Sequence, residues 1–329
     1  MDLGIYDLTQ YDAAESQAEV WQVIRDVAIL VDESGFDSLW FGEHHVTPED
    51  QYIQAPIALA AAAEVTSNVR LGAGSMLLPL HNPVHAAELA ASIDVISDGR
   101  LVLACGLGYR DAEFDVFGVD KSTRVGRLEE GIEVMRRVWT EDHVDYDGRM
   151  FQFEDVTINP KPVQNPHPPL LVAGYVDAAG ERAARIGDSW YFGNLASREE
   201  LARQFAVYRN AVAEHGREDE TFTPPVMREG YVLPDEDEAF ETVRPYLQSK
   251  FESYAGWGLD GVDIEDDFRD AAESRFLIGS PETVLEQIKR YHDLGVEEIT
   301  LRVQFPGMDP ADARRSIETI ADEVLPHLP

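Results

Sequence analysis

Residues 69–104 read VRLGAGSMLLPLHNPVHAAELAASIDVISDGRLVLA, and this stretch decides the fold. Val69 to Ser75 and Arg100 to Ala104 are short runs of branched and small apolar residues, the pattern of buried strands. Between them, Asn82-Pro83 reads as a cap followed by a first-turn proline, and the helix from Pro83 to Ser97 stops at Gly99. Strand, helix, strand is the repeating unit of parallel α/β architectures.

The same unit recurs on both sides. Upstream lie the strand Leu3 to Tyr6 before the helix Ala18 to Ser34, and the strand Asp37 to Phe41 before the helix Pro56 to Thr66. Downstream, Thr123 to Trp139 is the helix after Arg100 to Ala104. Then come strands Leu170 to Ala173, Ser189 to Phe192, Val226 to Leu233 and Glu298 to Gln304, each followed by a helical pattern. Eight strands alternating with helices predict a (β/α)8 TIM barrel forming one domain over residues 1–329, with an open doubly wound sheet as the competing arrangement. Two segments break the rhythm as insertions. Residues 143–169 carry a hairpin signal around Asp147-Gly148 and a proline-rich run, and residues 255–275 carry acids and glycines without periodicity, as a mobile loop or lid would.

Charge narrows the function. Against 27 Lys plus Arg stand 62 Asp plus Glu, a net −35 in 329 residues, which repels nucleic acid and anionic membranes. The acids are spread along the chain, as in salt-adapted cytoplasmic proteins. No apolar run approaches the ~20 residues of a membrane span, and no basic region precedes an apolar block at the start. With Cys105 the only cysteine, no internal disulfide and no thiolate metal cage can form, so a reducing, cytoplasmic setting is expected.

In such barrels the chemistry sits at the C-terminal strand ends. Glu43-His44-His45 puts a carboxylate and two imidazoles there, and strand alternation turns His44 to the mouth with Trp40 and Gly42. Two surface histidines in a loop are the plain alternative. A catalytic metal would combine these residues with His81 and His85 and is not expected, because that pair straddles a helix start and no carboxylate-rich set accompanies it. Ser75, with Gly106, Gly108 and Tyr109, offers small residues against which a flat ring can lie, although those glycines could serve only to turn the chain. Gly174 and Tyr175 open a helix whose N–H groups can meet a phosphate, and a bulky residue at Gly174 is expected to weaken such binding with little loss of fold. Trp190 is expected to line the mouth with Tyr191-Phe192.

Several motifs jointly resemble one family: Gly35-Phe36-Asp37-Ser38-Leu39-Trp40 leading into Glu43-His44-His45, Leu71-Gly72-Ala73-Gly74-Ser75 through Leu78-Pro79-Leu80-His81-Asn82-Pro83-Val84, and Ile96-Ser97-Asp98-Gly99-Arg100-Leu101. Phe114-Asp115-Val116-Phe117-Gly118, Pro160-Lys161-Pro162-Val163-Gln164 and Ile278-Gly279-Ser280-Pro281-Glu282 continue the pattern almost to the C-terminus. The chain resembles the bacterial luciferase-like monooxygenases. The resemblance implies a TIM barrel, usually dimeric, that binds reduced FMN or the deazaflavin coenzyme F420 at its mouth. It implies a histidine matching His44 that assists proton transfer, phosphate contacts at Gly174 and Tyr175, and a bulge with a non-proline cis peptide around Gly74-Ser75-Met76. The implied activity is oxidation of a small organic substrate with O2, with a separate flavin reductase as a possible supplier. F420-dependent hydride transfer and a flavin-binding protein without turnover are the alternatives. For the dimer, the small apolar faces Ala55 to Ala63 and Ala86 to Ile93 are the expected contact.

Overall fold

Alternation along each strand decides what faces inward and what faces the helices. In a computed structural model of the chain, which describes residues 1–7, 9–218, 222–256 and 268–329, eight parallel strands form a closed barrel. They are β1 (Asp2–Asp7), β2 (Ser38–Phe41), β3 (Arg70–Met76), β4 (Leu101–Cys105), β5 (Leu170–Gly174), β6 (Ser189–Phe192), β7 (Pro225–Val232) and β8 (Glu298–Arg302). Each strand pairs with the next in sequence, β6 meets β7 at Phe192 and Val226, and β8 returns to β1 with Ile299 beside Leu3. These are the eight strands read from the sequence, and the open sheet is excluded by the closing pair.

Helices α1 (Gln17–Glu33), α2 (Ala55–Val65) and α3 (Pro83–Ile96) follow the first three strands, and α4 (Asp111–Phe117) and α5 (Arg124–Thr140) follow β4. Then come α6 (Asp177–Ile186), α7 (Arg198–Glu214), α8 (Glu236–Gly256), α9 (Phe268–Arg275), α10 (Pro281–Asp293) and α11 (Pro310–Glu323). The start of α3 shows the local logic: Asn82 Oδ1 accepts from the N–H groups of Val84 (3.0 Å) and His85 (3.2 Å), just after which proline fits the first turn. The short α4 was not anticipated from the sequence.

Inside the barrel Tyr6, Trp40, Val102, Ala104, Leu171, Tyr191 and Met227 form one apolar cluster. Trp40 stacks on Tyr191 with ring centroids 4.9 Å apart. Glycines make room for that stack, since a Cβ at Gly72 would lie 2.1 Å from the Trp40 ring. The alternate residues, among them Leu39, Phe41, Leu71, Leu103, Cys105 and Trp190, face outward into the main core under the helices. Cys105 is fully buried there and its thiol is pushed up to about 12 by burial.

Of the two expected insertions, the first contains the hairpin Val144–Asp147 with Gln152–Val156. Its turn is held by Glu130 of α5, whose carboxylate accepts from the N–H groups of Arg149, Met150 and Phe151 at 3.0, 2.8 and 3.2 Å. Most of the second insertion, residues 257–267, lies outside the described residues. Its end is not loop but helix α9, because Phe268 and Ala272 pack into a separate cluster with Phe240, Phe251 and Phe276. Among the described residues no helix is long and apolar enough to cross a membrane.

The Trp40 stack yields a direct test. Gly72→Ala forces a methyl group into the indole face, so we expect a loss of about 1–3 kcal/mol in unfolding free energy, read from the urea midpoint at unchanged slope.

Candidate active site

The C-terminal strand ends surround a cavity of about 250 Å3. Where β3 ends, the Gly74–Ser75 peptide is cis and the pairing with β4 shifts between Gly74 and Met76, as the resemblance implied. Tyr6 donates its hydroxyl to the Gly74 carbonyl. Beside this bulge the backbone of Gly106-Leu107-Gly108 passes so closely that a Cβ at Gly106 would lie 2.5 Å from Ser75 Oγ. Gly108 has φ +72°, a conformation that glycine adopts without cost. Two backbones poor in side chains thus form a wall against which a planar ring can lie, with Leu77 and Leu107 beside it.

One end of the cavity suits an anion. Gly174, Tyr175 and Val176 line it at the start of α6, and no side chain caps that helix. The start of α6, with no side-chain cap, thus sets the positive end of the helix dipole at that part of the cavity wall. Arg124 and Arg182 also line the cavity, and Glu129 holds Arg182 by Nε alone, at 3.0 Å. Asp177 does not oppose them, because Arg203 holds its two oxygens at 2.7 and 2.8 Å on the outer surface.

Elsewhere on the wall stands His44, 9% exposed. Its Nδ1 lies 2.9 Å from Oε1 of Glu113, a fully buried residue of α4. The same oxygen accepts from the His45 N–H (3.0 Å) and from Arg110 Nη1 (3.3 Å). Burial works to raise the Glu113 pKa, but the hydrogen bonds from His44 and His45 and the charge of Arg110 hold it below the usual carboxylate range. Ionised, Glu113 can only accept, so Nδ1 of His44 is the donor and exchange with a ligand falls to Nε2.

Glu43 is spent differently. Its Oε1 meets His45 Nε2 at 3.0 Å and His81 Nε2 at 2.9 Å, and its Oε2 accepts from the Leu77 N–H at 2.6 Å. Burial opposes ionisation, yet these imidazole hydrogen bonds and charges win and bring it down to about 2.

A barrel with a cis bulge at β3, a histidine after β2 and an uncapped helix after β5 carries the pattern expected from the motifs. The chain belongs to the luciferase-like monooxygenase family. The family description matches residues 1–298. Among relatives, the oxygenase component of the flavin-dependent trigonelline monooxygenase of Acinetobacter baylyi is 26% identical, covering 95% of this chain and 91% of that protein. The F420-dependent glucose-6-phosphate dehydrogenase of Amycolatopsis mediterranei is 28% identical, covering 92% and 93%. The crystal structure of the monooxygenase RslO1 from Streptomyces bottropensis superposes with a TM-score of 0.89 at 28% identity, covering 99% of each chain. Flavin-dependent monooxygenases and F420-dependent oxidoreductases of the luciferase-like family are thus both relatives of this chain.

Of the site residues expected from sequence, His44, Ser75, Gly106, Gly108, Tyr109, Gly174 and Tyr175 all line the cavity. Trp190 does not. It packs outside the barrel against Phe192 (3.9 Å between centroids) and Tyr208, while its neighbour Tyr191 takes the inward position. Glu43 lines the cavity but its carboxylate is committed to His45, His81 and Leu77, which makes it a positioning residue rather than a proton carrier. A bulky residue at Gly174 would also disturb the fold, since a Cβ there lies 2.4 Å from that of Ala179 in α6. Glu113, Arg124 and Arg182 were missed. Only Glu113 left a trace, as the acid just before the Phe114 to Gly118 motif.

Replacing Glu43 with Gln removes the charge that two imidazoles and an N–H converge on. We expect a loss of about 1.5–3 kcal/mol at neutral pH. Because the folded pKa lies below the ordinary glutamate value of 4.5, the difference from wild type should be full above that pH and shrink as pH falls toward about 2. Urea titrations of both proteins along that range measure it.

Proposed function

We propose that this protein is a flavin-dependent monooxygenase that uses reduced FMN and O2 to oxidise a small organic substrate. The observation that carries the reading is one cavity joining an anion end, at Arg124, Arg182 and the start of α6, to an imidazole held by a buried carboxylate. Between them lie the cis bulge and the backbone of Gly106 to Gly108, where glycines present no side chain to a flat ring system.

FMN would lie with its phosphate at the α6 end and its rings along Gly74-Ser75 and Gly106 to Gly108, and when reduced it supplies the electrons that activate O2. Arg124, Arg182 and the α6 N–H groups bind and orient the anion by short-range contacts, which a net charge of −35 does not cancel. Leu77, Leu107 and Met227 exclude water from the reacting end. His44 holds or passes a proton at Nε2, with Glu113 fixing the ring and balancing the imidazolium charge. One oxygen atom enters the substrate and the other leaves as water, so a proton carrier at this end is required.

F420-dependent hydride transfer is the second reading, favoured by the dehydrogenase relative. The surface beyond the anion end argues for FMN. There Arg203 is paired with Asp177 and Glu200, and Arg185 with Glu129, which leaves little for the anionic tail of F420. A cytoplasmic homodimer supplied by a separate reductase completes the reading. The small residues expected at the contact, among them Ala58, Ala62, Ala86 and Ala90, are instead buried against the barrel. The outer faces of α2 and α3 expose Ile57 (62%), Val95 (42%) and Ile96 (44%), which take their place in this proposal.

Four measurements test this. Reduced FMN should bind and, with O2 and a candidate substrate panel, give oxygenated product, whereas tight binding and turnover with reduced F420 alone would reverse the assignment. Arg124→Ala should weaken FMN binding about tenfold or more, by fluorescence titration. His44→Ala should keep FMN affinity and lower turnover by about 100-fold or more. For the dimer, sedimentation in molar salt should give two chains for wild type and one for Ile57→Glu.

A further inference from the structure

His45 and His81 approach Glu43 in an unusual way: both rings direct Nε2 to the same oxygen, Oε1, at 3.0 and 2.9 Å. The three atoms lie within 4.8 Å of one another. Two imidazoles and one carboxylate form a donor set suited to zinc, cobalt, nickel or copper. Around a tetrahedral ion with bonds of about 2.0–2.1 Å, neighbouring ligand atoms stand roughly 3.3 Å apart, so these two edges would widen by only a few tenths of an ångström.

We propose that Glu43, His45 and His81 bind one divalent transition-metal ion, with water completing its coordination, and that the ion ties the loop after β2 to the turn before α3.

The backbone around each ligand is already fixed. The Leu77 N–H holds Oε2 of Glu43, which leaves Oε1 turned to the two rings. His45 is anchored at both backbone groups, its N–H donating to Glu113 and its carbonyl accepting from Arg110 Nη1 at 2.7 Å. His81 donates its N–H to Leu78 O at 3.0 Å and precedes the Asn82 cap of α3. The His45 and His81 side chains remain 11% and 17% exposed, which gives an ion a way in and room for water. Magnesium and calcium prefer all-oxygen shells and fit this set poorly. On binding, each ring offers the Nε2 lone pair, its proton moving to Nδ1 or to solvent, and the carboxylate exchanges two hydrogen bonds for one metal bond. The site is separate from the proton carrier, because His44 is tied to a different carboxylate, Glu113. His85, which the sequence placed beside His81, is exposed on α3 and takes no part.

The test uses tag-free full-length protein, stripped by a chelator and titrated with Co2+ at pH 8, with visible absorption and equilibrium dialysis as readouts. The expected result is one Co2+ per chain with the strong ligand-field bands of a low-coordinate site, displaced by Zn2+ and unaffected by Mg2+. Affinity should fall at least tenfold in His45→Ala and in His81→Ala, with folding checked by circular dichroism, and should be unchanged in His85→Ala. X-ray absorption of the zinc-loaded wild type should show two imidazoles and oxygen, a result independent of whether the variants fold. Failure of the wild type to take up a stoichiometric ion, an all-oxygen shell, or full affinity in folded His81→Ala overturns the proposal.

Discussion

The stack of Trp40 on Tyr191 inside the barrel sets the level of everything above it. Two rings of that size fit between eight strands only because β3 contributes Gly72 and Gly74 where they lie, as a Cβ at Gly74 would meet the Tyr191 hydroxyl at 2.9 Å. Tyr6 closes the third side by bonding the Gly74 carbonyl. The floor of the cavity is therefore rigid aromatic packing joined to the backbone of the β3 bulge, and the position of a ring lying on that bulge is inherited from the interior packing.

A second constraint is how so acidic a chain uses its carboxylates indoors. Several act as acceptors for backbone N–H groups of the connecting segments. Asp32 takes those of Ser67, Asn68 and Val69, Asp94 those of Val163 and Gln164, and Asp188 that of Leu170. A charge that accepts several N–H bonds holds a connection as firmly as a short strand pair would. Glu43 and Glu113 belong to this habit, since each fixes a loop while also setting an imidazole. The binding of an anion then depends on a few local donors rather than on the field of the whole molecule.

The barrel was legible because periodicity and turn residues are local signals, and each strand ends at most two residues from its expected boundary. His44 was legible for the same reason: parity with Trp40, which faces inward, carried past the end of β2. Trp190 was not, because all four residues of Ser189 to Phe192 are buried, and a strand apolar on both faces does not say which face is which. Glu113 and Arg124 escaped because they stand on helices, where no strand parity points to the mouth, and Arg182 because one position on α6 gives no sign of which face meets the cavity. Only closure of the barrel brings α4 over His44, a separation of 69 residues in sequence. The sequence reading weighed His81 and His85 together with Glu43-His44-His45 and set the group aside, because only the folded chain shows His81, 38 residues from Glu43, and not His85 reaching that carboxylate.

The single cysteine gives the barrel a built-in reporter. Cys105 closes β4 between Met76 of β3 and Val172 of β5, and its side chain is sealed under the helices with the thiol held protonated. An alkylating reagent can reach it only in molecules whose wall has parted at that seam. The labelling rate of the unmodified protein therefore counts openings of the β3–β4–β5 wall, and a ligand resting on the β3 bulge would register as a slower clock without any engineered probe.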